Sequence, residues 1–466
     1  MRQNRENIAS LSRLAATILA CAALCEAPGW AAEGRKPNIV IILVDDLGYH
    51  DLGCQGDKEI LTPNIDAMAS CGVRCTHAYT TAPVGGPVRA ALLTGRYSQR
   101  FGNEFNPGPQ ETAAIGIPSS ERTLAEVLKP AGYATAAIGK WHIGTSLECH
   151  PLRRGFDEFF GFLGAAHYLI PNSTTPSRVG TTPAWTNGML RGDEPWEEKE
   201  YLTDAFSREA VSFIDRSGDR PFLLYLAYNA PHSPIEAPPK YLDRLYGKAG
   251  GDERWRVYGA MIAAIDDGVG QVQEALKRNK LLDDTLIVFT NDNGGITGYL
   301  SPSSNAPFIG AKSDLYEGGV RVPFLAHWSG HIPAGITYDQ PVSLLDIFAT
   351  ATAAAGVEST AEPKLDGVNL VPHFNGEAAA RPHETLYWRY GPNLAARHGR
   401  WKFIREQLFN GDIAEQLFDM SDEDGELRDV STEHPEVAAR LKAEVQAWSE
   451  ALPPATFGTF LPPPWW

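Results

Sequence analysis

The 466-residue chain is 43% hydrophobic and carries no low-complexity tract, enough to bury one large core and a smaller appendage. Its formal charge of -16 excludes nucleic acid and an anionic membrane surface as natural partners. The same acidity repels polyanions at long range, so an acidic or sulfated ligand requires a local basic pocket.

At the start, Arg2, Arg5 and Arg13 precede an apolar run from Leu14 to Leu24, followed by small residues around Gly29, Ala31 and Ala32. That order is expected of a secretory signal peptide over residues 1–32, too short and wrongly flanked for a membrane span. The expectation is an exported protein, periplasmic or secreted. Cys21, after Ile18-Leu19-Ala20, gives a lipoprotein reading that ranks second, because Leu19 is bulky where lipid attachment favours a small residue. Beyond the peptide stand Cys54, Cys71, Cys75 and Cys149, which allow three pairings if oxidised. No CxxC spacing or His-rich tract points to zinc, and buried free thiols are preferred to a disulfide frame.

From Pro37 the chain alternates apolar runs with helical stretches. The runs Asn38–Val44, Ala134–Ile138, Phe222–Tyr228, Leu286–Thr290 and Val322–Trp328 are expected strands; Asn64–Ala69, Leu124–Leu128, Tyr201–Asp215 and Val257–Leu276 are expected helices. Near-continuous apolar strands of this length belong in a mostly parallel sheet covered on both faces, the doubly wound α/β class. Ligands of such sheets sit beyond the carboxyl ends of the strands. Residues 157–196, rich in Gly, Pro, Ser and Thr, are expected to be a long surface excursion walling the site. Past Gly376 come shorter strands (385–390, 394–404, 416–419) and a last helix, 436–452, expected as a small α+β subdomain with an antiparallel sheet, over residues 376–466.

Asp45 and Asp46 directly follow the first strand, and Asp292 and Asn293 follow the run Leu286–Thr290. Adjacent carboxylates repel unless a cation lies between them, and these four hard oxygen donors suit calcium, with magnesium as the alternative. The stretch Thr81–Arg100 holds a Pro/Gly-rich turn, Pro83–Pro87, feeding a short apolar helix, Arg89–Thr94, that stops at Gly95. Backbone N–H groups and the Arg89 guanidinium at that helix start make an anion site.

The spacing Pro87-x-Arg89-Ala90-x-Leu92-Leu93-Thr94-Gly95-Arg96 resembles the signature of the type I sulfatases, of the alkaline phosphatase-like superfamily. Their motif begins with a Cys or Ser that is oxidised to the formylglycine nucleophile. That position is Gly85, which has no side chain to oxidise, and Val88 replaces the usual small polar residue after the proline. The resemblance covers nearly all the chain after residue 35 and implies a sulfatase-like catalytic domain over residues 33–375. It implies calcium on Asp45, Asp46, Asp292 and Asn293. Gly139-Lys140-Trp141-His142-Ile143-Gly144 resembles the segment whose Lys binds sulfate and whose His contacts the nucleophile. Ala230-Pro231-His232-Ser233-Pro234 resembles the second histidine segment, near the leaving oxygen, and Lys312 matches the second sulfate lysine.

These matches imply His142 as base, His232 as acid, and Arg89, Lys140 and Lys312 as an anion clamp beside a nucleophile position left vacant at Gly85. His167, in the expected wall, is a candidate for stacking on a sugar, with an ordinary loop aromatic as the alternative. Asp266-Asp267 is expected on a solvated helix face. Leu365-Asp366-Gly367 and Arg400-Trp401-Lys402 are family-like, but a turn and an amphipathic strand account for them. The expected activity is hydrolysis of an anionic or sulfated carbohydrate without formylglycine, by metal-bound water or substrate assistance, glycosidic-bond cleavage included. The alternative is an inactive relative that binds sulfated glycan. Conventional sulfate-ester hydrolysis comes third and requires Gly85 to be an engineered substitution.

Overall fold

Strand Asn38–Val44 is buried over its whole length and pairs in parallel on both sides, with Phe222–Ala227 and with Thr285–Asn291. These strands belong to a computed structural model that describes residues 35–107, 116–171, 188–247, 252–298, 301–357, 363–421, 425–458 and 460. The expected signal peptide lies outside the described residues. Among the described residues the central sheet has ten strands. Its parallel middle runs Thr285–Asn291, Asn38–Val44, Phe222–Ala227, Ala134–Lys140, Glu158–Phe162.

Alternate residues of the first strand enter two separate cores, as the pleat dictates. Val40, Ile42 and Val44 pack with helices Pro63–Ser70, Leu202–Arg216 and Glu253–Arg278. Ile39, Ile41 and Leu43 pack with Gly85–Thr94, Leu124–Leu128 and Asp346–Ala354. Helices therefore cover both faces, and the doubly wound class holds.

Two expectations about strands of the central sheet need correction. The run 322–328 yields only Phe324–His327, and that strand is antiparallel to Thr285–Asn291. The connection 292–323 leaves and re-enters the sheet at the same edge, so the chain must run back. The expected excursion 157–196 contributes a sheet strand, Glu158–Phe162, with Phe159, Phe160 and Phe162 buried, followed by the small edge strands Leu190–Arg191 and Glu194–Pro195. Residues 172–187 lie outside the described residues.

Asp266 is not on a solvated face. It is buried and accepts from the backbone N–H of Asn64 at 3.0 Å and of Ile65 at 2.9 Å, capping helix Pro63–Ser70, whose N-cap residue, Thr62, makes no side-chain cap. Asp267 alone meets solvent, paired with Arg244 at 2.8 Å. Cys54, Cys75 and Cys149 are free thiols, Cys75 and Cys149 buried.

A separate four-stranded antiparallel sheet comprises Thr385–Tyr390, Asn393–His398, Trp401–Gln407 and Ile413–Asp419. The expected single strand 394–404 is a hairpin, broken at Gly399 with φ +57°. One face packs on helix Pro435–Glu450 through Ala396, Phe403, Leu417, Leu441 and Val445. The other carries Trp388, Ile404 and Phe418 against Tyr79, Val84 and Leu315 of the main body.

Candidate functional site

The charged site candidates Asp45, Asp46, Arg89, Lys140, Asp292 and Lys312 gather at one edge of the central sheet, where its parallel strands end. Asp45 and Asp46 follow Val44, Asp292 and Asn293 follow Asn291, and Lys140 ends its own strand. Gly139 turns that last residue inward: its φ is +108°, and a Cβ there would stand 1.9 Å from the Ala227 carbonyl oxygen. The helix bearing Arg89 begins four residues earlier than expected, at Gly85, after an extended Val84. Pro87 is harmless in a first turn because its missing N–H would have no partner inside the helix. The Gly86 N–H is met by Asn106 Oδ1 at 2.8 Å.

Three cations and three carboxylates interlock there. Arg89 Nη2 lies 2.8 Å from Asp292 Oδ2, and Arg89 Nε donates to the same oxygen at 3.0 Å. Its Nη1 donates to the Lys140 carbonyl at 3.2 Å. Lys140 Nζ reaches Asp45 Oδ2 at 2.6 Å, and Lys312 Nζ reaches Asp46 Oδ1 at 2.7 Å. Asn293 Nδ2 donates to Asp46 Oδ1 at 2.6 Å. Arg89, Asp45 and Asp292 are 0% exposed, so these charges hold one another in a medium that penalises each alone.

Burial pushes the carboxyls of Asp45 and Asp46 up, but the neighbouring cations outweigh it, Lys140 for Asp45 and Lys312 for Asp46, and hold both below the usual carboxylate range. Asp292 goes the other way: burial and the Asp45 charge raise it against Arg89. Burial lowers Lys140, whereas at Lys312 the carboxylates, Asp46 first, overcome burial and raise it.

His142 sits at φ +59°, with both ring nitrogens buried and without a hydrogen-bond partner. Burial and then Lys140 drive its imidazole well below the ordinary value, so the ring is neutral and one nitrogen can accept a proton. His232 Nδ1 lies 2.5 Å from the Ser233 carbonyl, which can only accept, so Nδ1 carries the proton. Its Nε2 faces Asp46 Oδ2 at 3.4 Å, and its side chain, 18% exposed, is the most open of the group. His167 does not join the ion cluster. Its ring packs on Phe162 with centroids 5.4 Å apart, and its carbonyl accepts from Asn229 Nδ2 at 3.4 Å, beside the segment leading to His232.

The oxygens suit a hard divalent cation. Asp45 Oδ1 and Asn293 Oδ1 are buried acceptors without a hydrogen-bond partner, and one ligand atom each of Asp45, Asp46 and His232 lie within 4.8 Å of one another. Sequence reasoning missed Asn291, whose side chain accepts from the Leu47 N–H at 3.2 Å and donates to the Leu47 carbonyl at 2.7 Å, locking the two strand-end loops together. The signal was present: an amide closing an otherwise apolar strand.

Buried cations interlocked with clustered oxygen donors, at the carboxyl edge of a doubly wound sheet, mark the place where ligands of this class of fold sit and offer a candidate acidic metal site. The chain belongs to the sulfatase family, whose model matches residues 37–357. Human N-acetylgalactosamine-6-sulfatase is 34% identical over a 480-residue alignment spanning 92% of this chain and 88% of that protein. The uncharacterized sulfatase YdeN of Escherichia coli strain K12 is 32% identical over 407 residues, 76% of this chain and 68% of the relative. Among solved structures, Ps i-CgsB in complex with k-i-k-neocarrahexaose is 36% identical with a TM-score of 0.84, covering 91% of this chain and 95% of the other. The PsFucS1 sulfatase from Pseudoalteromonas sp. is 26% identical with a TM-score of 0.76, covering 93% of each.

Proposed function

We propose that this is an exported hydrolase of sulfated glycans in which water, not a side chain at position 85, attacks the substrate. The observation that carries the reading is the convergence of Arg89, Lys140 and Lys312 within one buried cluster directly beside Gly85. Burying that many charges costs several kcal/mol per ion before pairing, which a chain with only a fold to maintain has no reason to bear. The relatives named above for sulfated sugars and a carrageenan oligosaccharide support the substrate class.

In this reading Arg89, Lys140 and Lys312 clamp the anionic group of the substrate. Asp45, Asp46, Asp292 and Asn293 hold calcium, which when bound supplies positive charge against the developing negative charge of the reaction. Neutral His142 takes a proton from the attacking water, and His232, when it also carries a proton on the Nε2 that faces Asp46, delivers that proton to the leaving oxygen. The bond that breaks is either the sulfate ester or the glycosidic link. A second reading, binding without turnover, is favoured by Asp292 lying where a nucleophile's Cβ would be, 2.4 Å from that position.

Incubation of the intact protein with sulfated galactose and N-acetylgalactosamine oligosaccharides, with calcium and with chelator, tests the proposal. Products are analysed by mass spectrometry and free sulfate by ion chromatography. Products that vanish in His232→Ala support hydrolysis, and their masses identify the bond. Binding without product leaves the second reading, and turnover by His142→Ala and His232→Ala equal to that of the parent rules out the assigned roles.

A further inference from the structure

Gly85 and Asp292 share one volume. A Cβ built on Gly85 falls 2.4 Å from Asp292 Oδ2 and 3.2 Å from its Cγ, the first far inside the separation at which non-bonded atoms attract. The Gly85 backbone is not in the left-handed region, so alanine fits the chain there and only the carboxylate stands in its way. In this position Asp292 occupies the Nε–Nη2 side of the Arg89 guanidinium, at 3.0 and 2.8 Å. Nη1 is already committed to the Lys140 carbonyl. The side held by Asp292 is therefore the fork that would otherwise grip two oxygens of a sulfate group. The lysines lack this geometry: Lys140 and Lys312 offer point charges to Asp45 and Asp46.

We infer that Asp292 gates the anion site. In the room left by Gly85 it covers the fork of Arg89, and a divalent cation drawn to the oxygens of Asp45, Asp46, Asp292 and Asn293 uncovers Arg89 for the sulfate group of the substrate. The inference rests on the anion-clamp reading above. An external anion must displace Asp292 from Arg89, and a metal ion must displace Arg89 from Asp292, so each ligand removes the obstacle to the other. Linkage then requires the two effects to be equal in size.

The test is equilibrium dialysis of radiolabelled inorganic sulfate against the intact protein at fixed ionic strength, with and without calcium, paired with calcium titrations with and without sulfate. Calcium is expected to tighten sulfate binding about tenfold, and sulfate to tighten calcium binding by the same factor. In Gly85→Ala the new Cβ expels Asp292, so sulfate binds without calcium about as tightly as it binds the calcium-loaded parent. Asp292→Asn removes the competing charge without a new Cβ and is expected to raise calcium-free sulfate affinity in the same direction, which keeps the test open if the alanine variant does not fold. Sulfate binding that ignores calcium, or a Gly85→Ala protein that retains the parent's coupling factor, overturns the gate and leaves the clamp standing. Absence of sulfate binding in every protein at every calcium level overturns the clamp and the gate together.

Discussion

At Lys312 a single ammonium offsets a carboxylate that has almost no access to water: the side chains of Lys312 and Asp46 are 7% and 1% exposed. Removing one partner of such a pair leaves the other charged, buried and only partly compensated, at a cost of about 3 kcal/mol when hydrogen bonds remain. Asp46 keeps the Asn293 amide at 2.6 Å and the His232 ring at 3.4 Å. Lys312→Met is therefore expected to lower unfolding stability by about that amount in urea titrations, and saturating calcium is expected to stabilise the variant more than the parent, because Asp46 no longer has an ammonium to give up. Equal calcium stabilisation of both proteins would count against Asp46 as a ligand. Asp45, Asp46 and Asp292 were legible in the sequence because each follows an apolar run at its carboxyl end, where a charge has no packing role, whereas Lys312 follows no such run and was legible only through the resemblance to the sulfatase motifs. The insertion of Asp292 into the space of Gly85 was not legible: it depends on an approach between two residues 207 positions apart in number, which spacing along one strand does not encode.

Among the elements, helix Asp346–Ala354 shows how one side chain fixes the start of a helix and the loops around it. Asp346 accepts from the Ser343 and Val368 N–H groups at 2.8 and 2.9 Å, and from His383 Nε2 at 2.8 and 3.0 Å. Burial alone would push the His383 imidazole down, but the Asp346 carboxylate reverses this and holds it above its ordinary value of 6.5. A histidine raised in the folded state contributes its full stabilisation below the unfolded value and loses it as pH rises through the folded one. The stability difference between the parent and His383→Asn is thus expected to be largest near pH 6 and to shrink steadily above about pH 6.5, read by urea unfolding at several pH values. A difference that stays flat would show that the ring packs there as a neutral group. The strands themselves were legible because five apolar runs dominate the chain. The reversed direction of Phe324–His327 was not, since apolarity has no direction, and Glu158–Phe162 was hidden between glycine- and proline-rich flanks.

Over the whole molecule, the small antiparallel sheet is joined to the body by a buried ion cluster as well as by apolar packing. Lys402, read from sequence as one residue of an amphipathic strand, is 0% exposed and lies 2.8 Å from Glu317 Oε1 and 2.7 Å from Glu426 Oε1. Glu317 begins the short helix Glu317–Val320, in the connection that also carries Lys312 and that returns to Asn293 through the Gly294 N–H bond to the Gly319 carbonyl at 2.9 Å. Its other oxygen accepts from the Tyr79 hydroxyl at 2.8 Å and pairs with Arg321 at 3.0 Å. Burial and the Glu317 charge push the Glu426 carboxyl up to about 7, so near neutrality this acid is already close to taking a proton. Lys402→Met would leave the two carboxylates facing each other without the ammonium between them, a loss of about 3–5 kcal/mol. The double variant Lys402→Met/Glu426→Gln removes the repulsion together with the cation, and is expected to regain a large part of that loss, a non-additivity that a double-mutant cycle reads directly from urea midpoints. Because Glu317 links the sheet to the Lys312 loop, the single variant is also expected to weaken sulfate binding and the double variant to restore it. Additive losses in the cycle would mean that Lys402 acts through its aliphatic packing on Trp388, whose ring centroid lies 5.8 Å from the ammonium, and that the charges on either side of it are indifferent to each other.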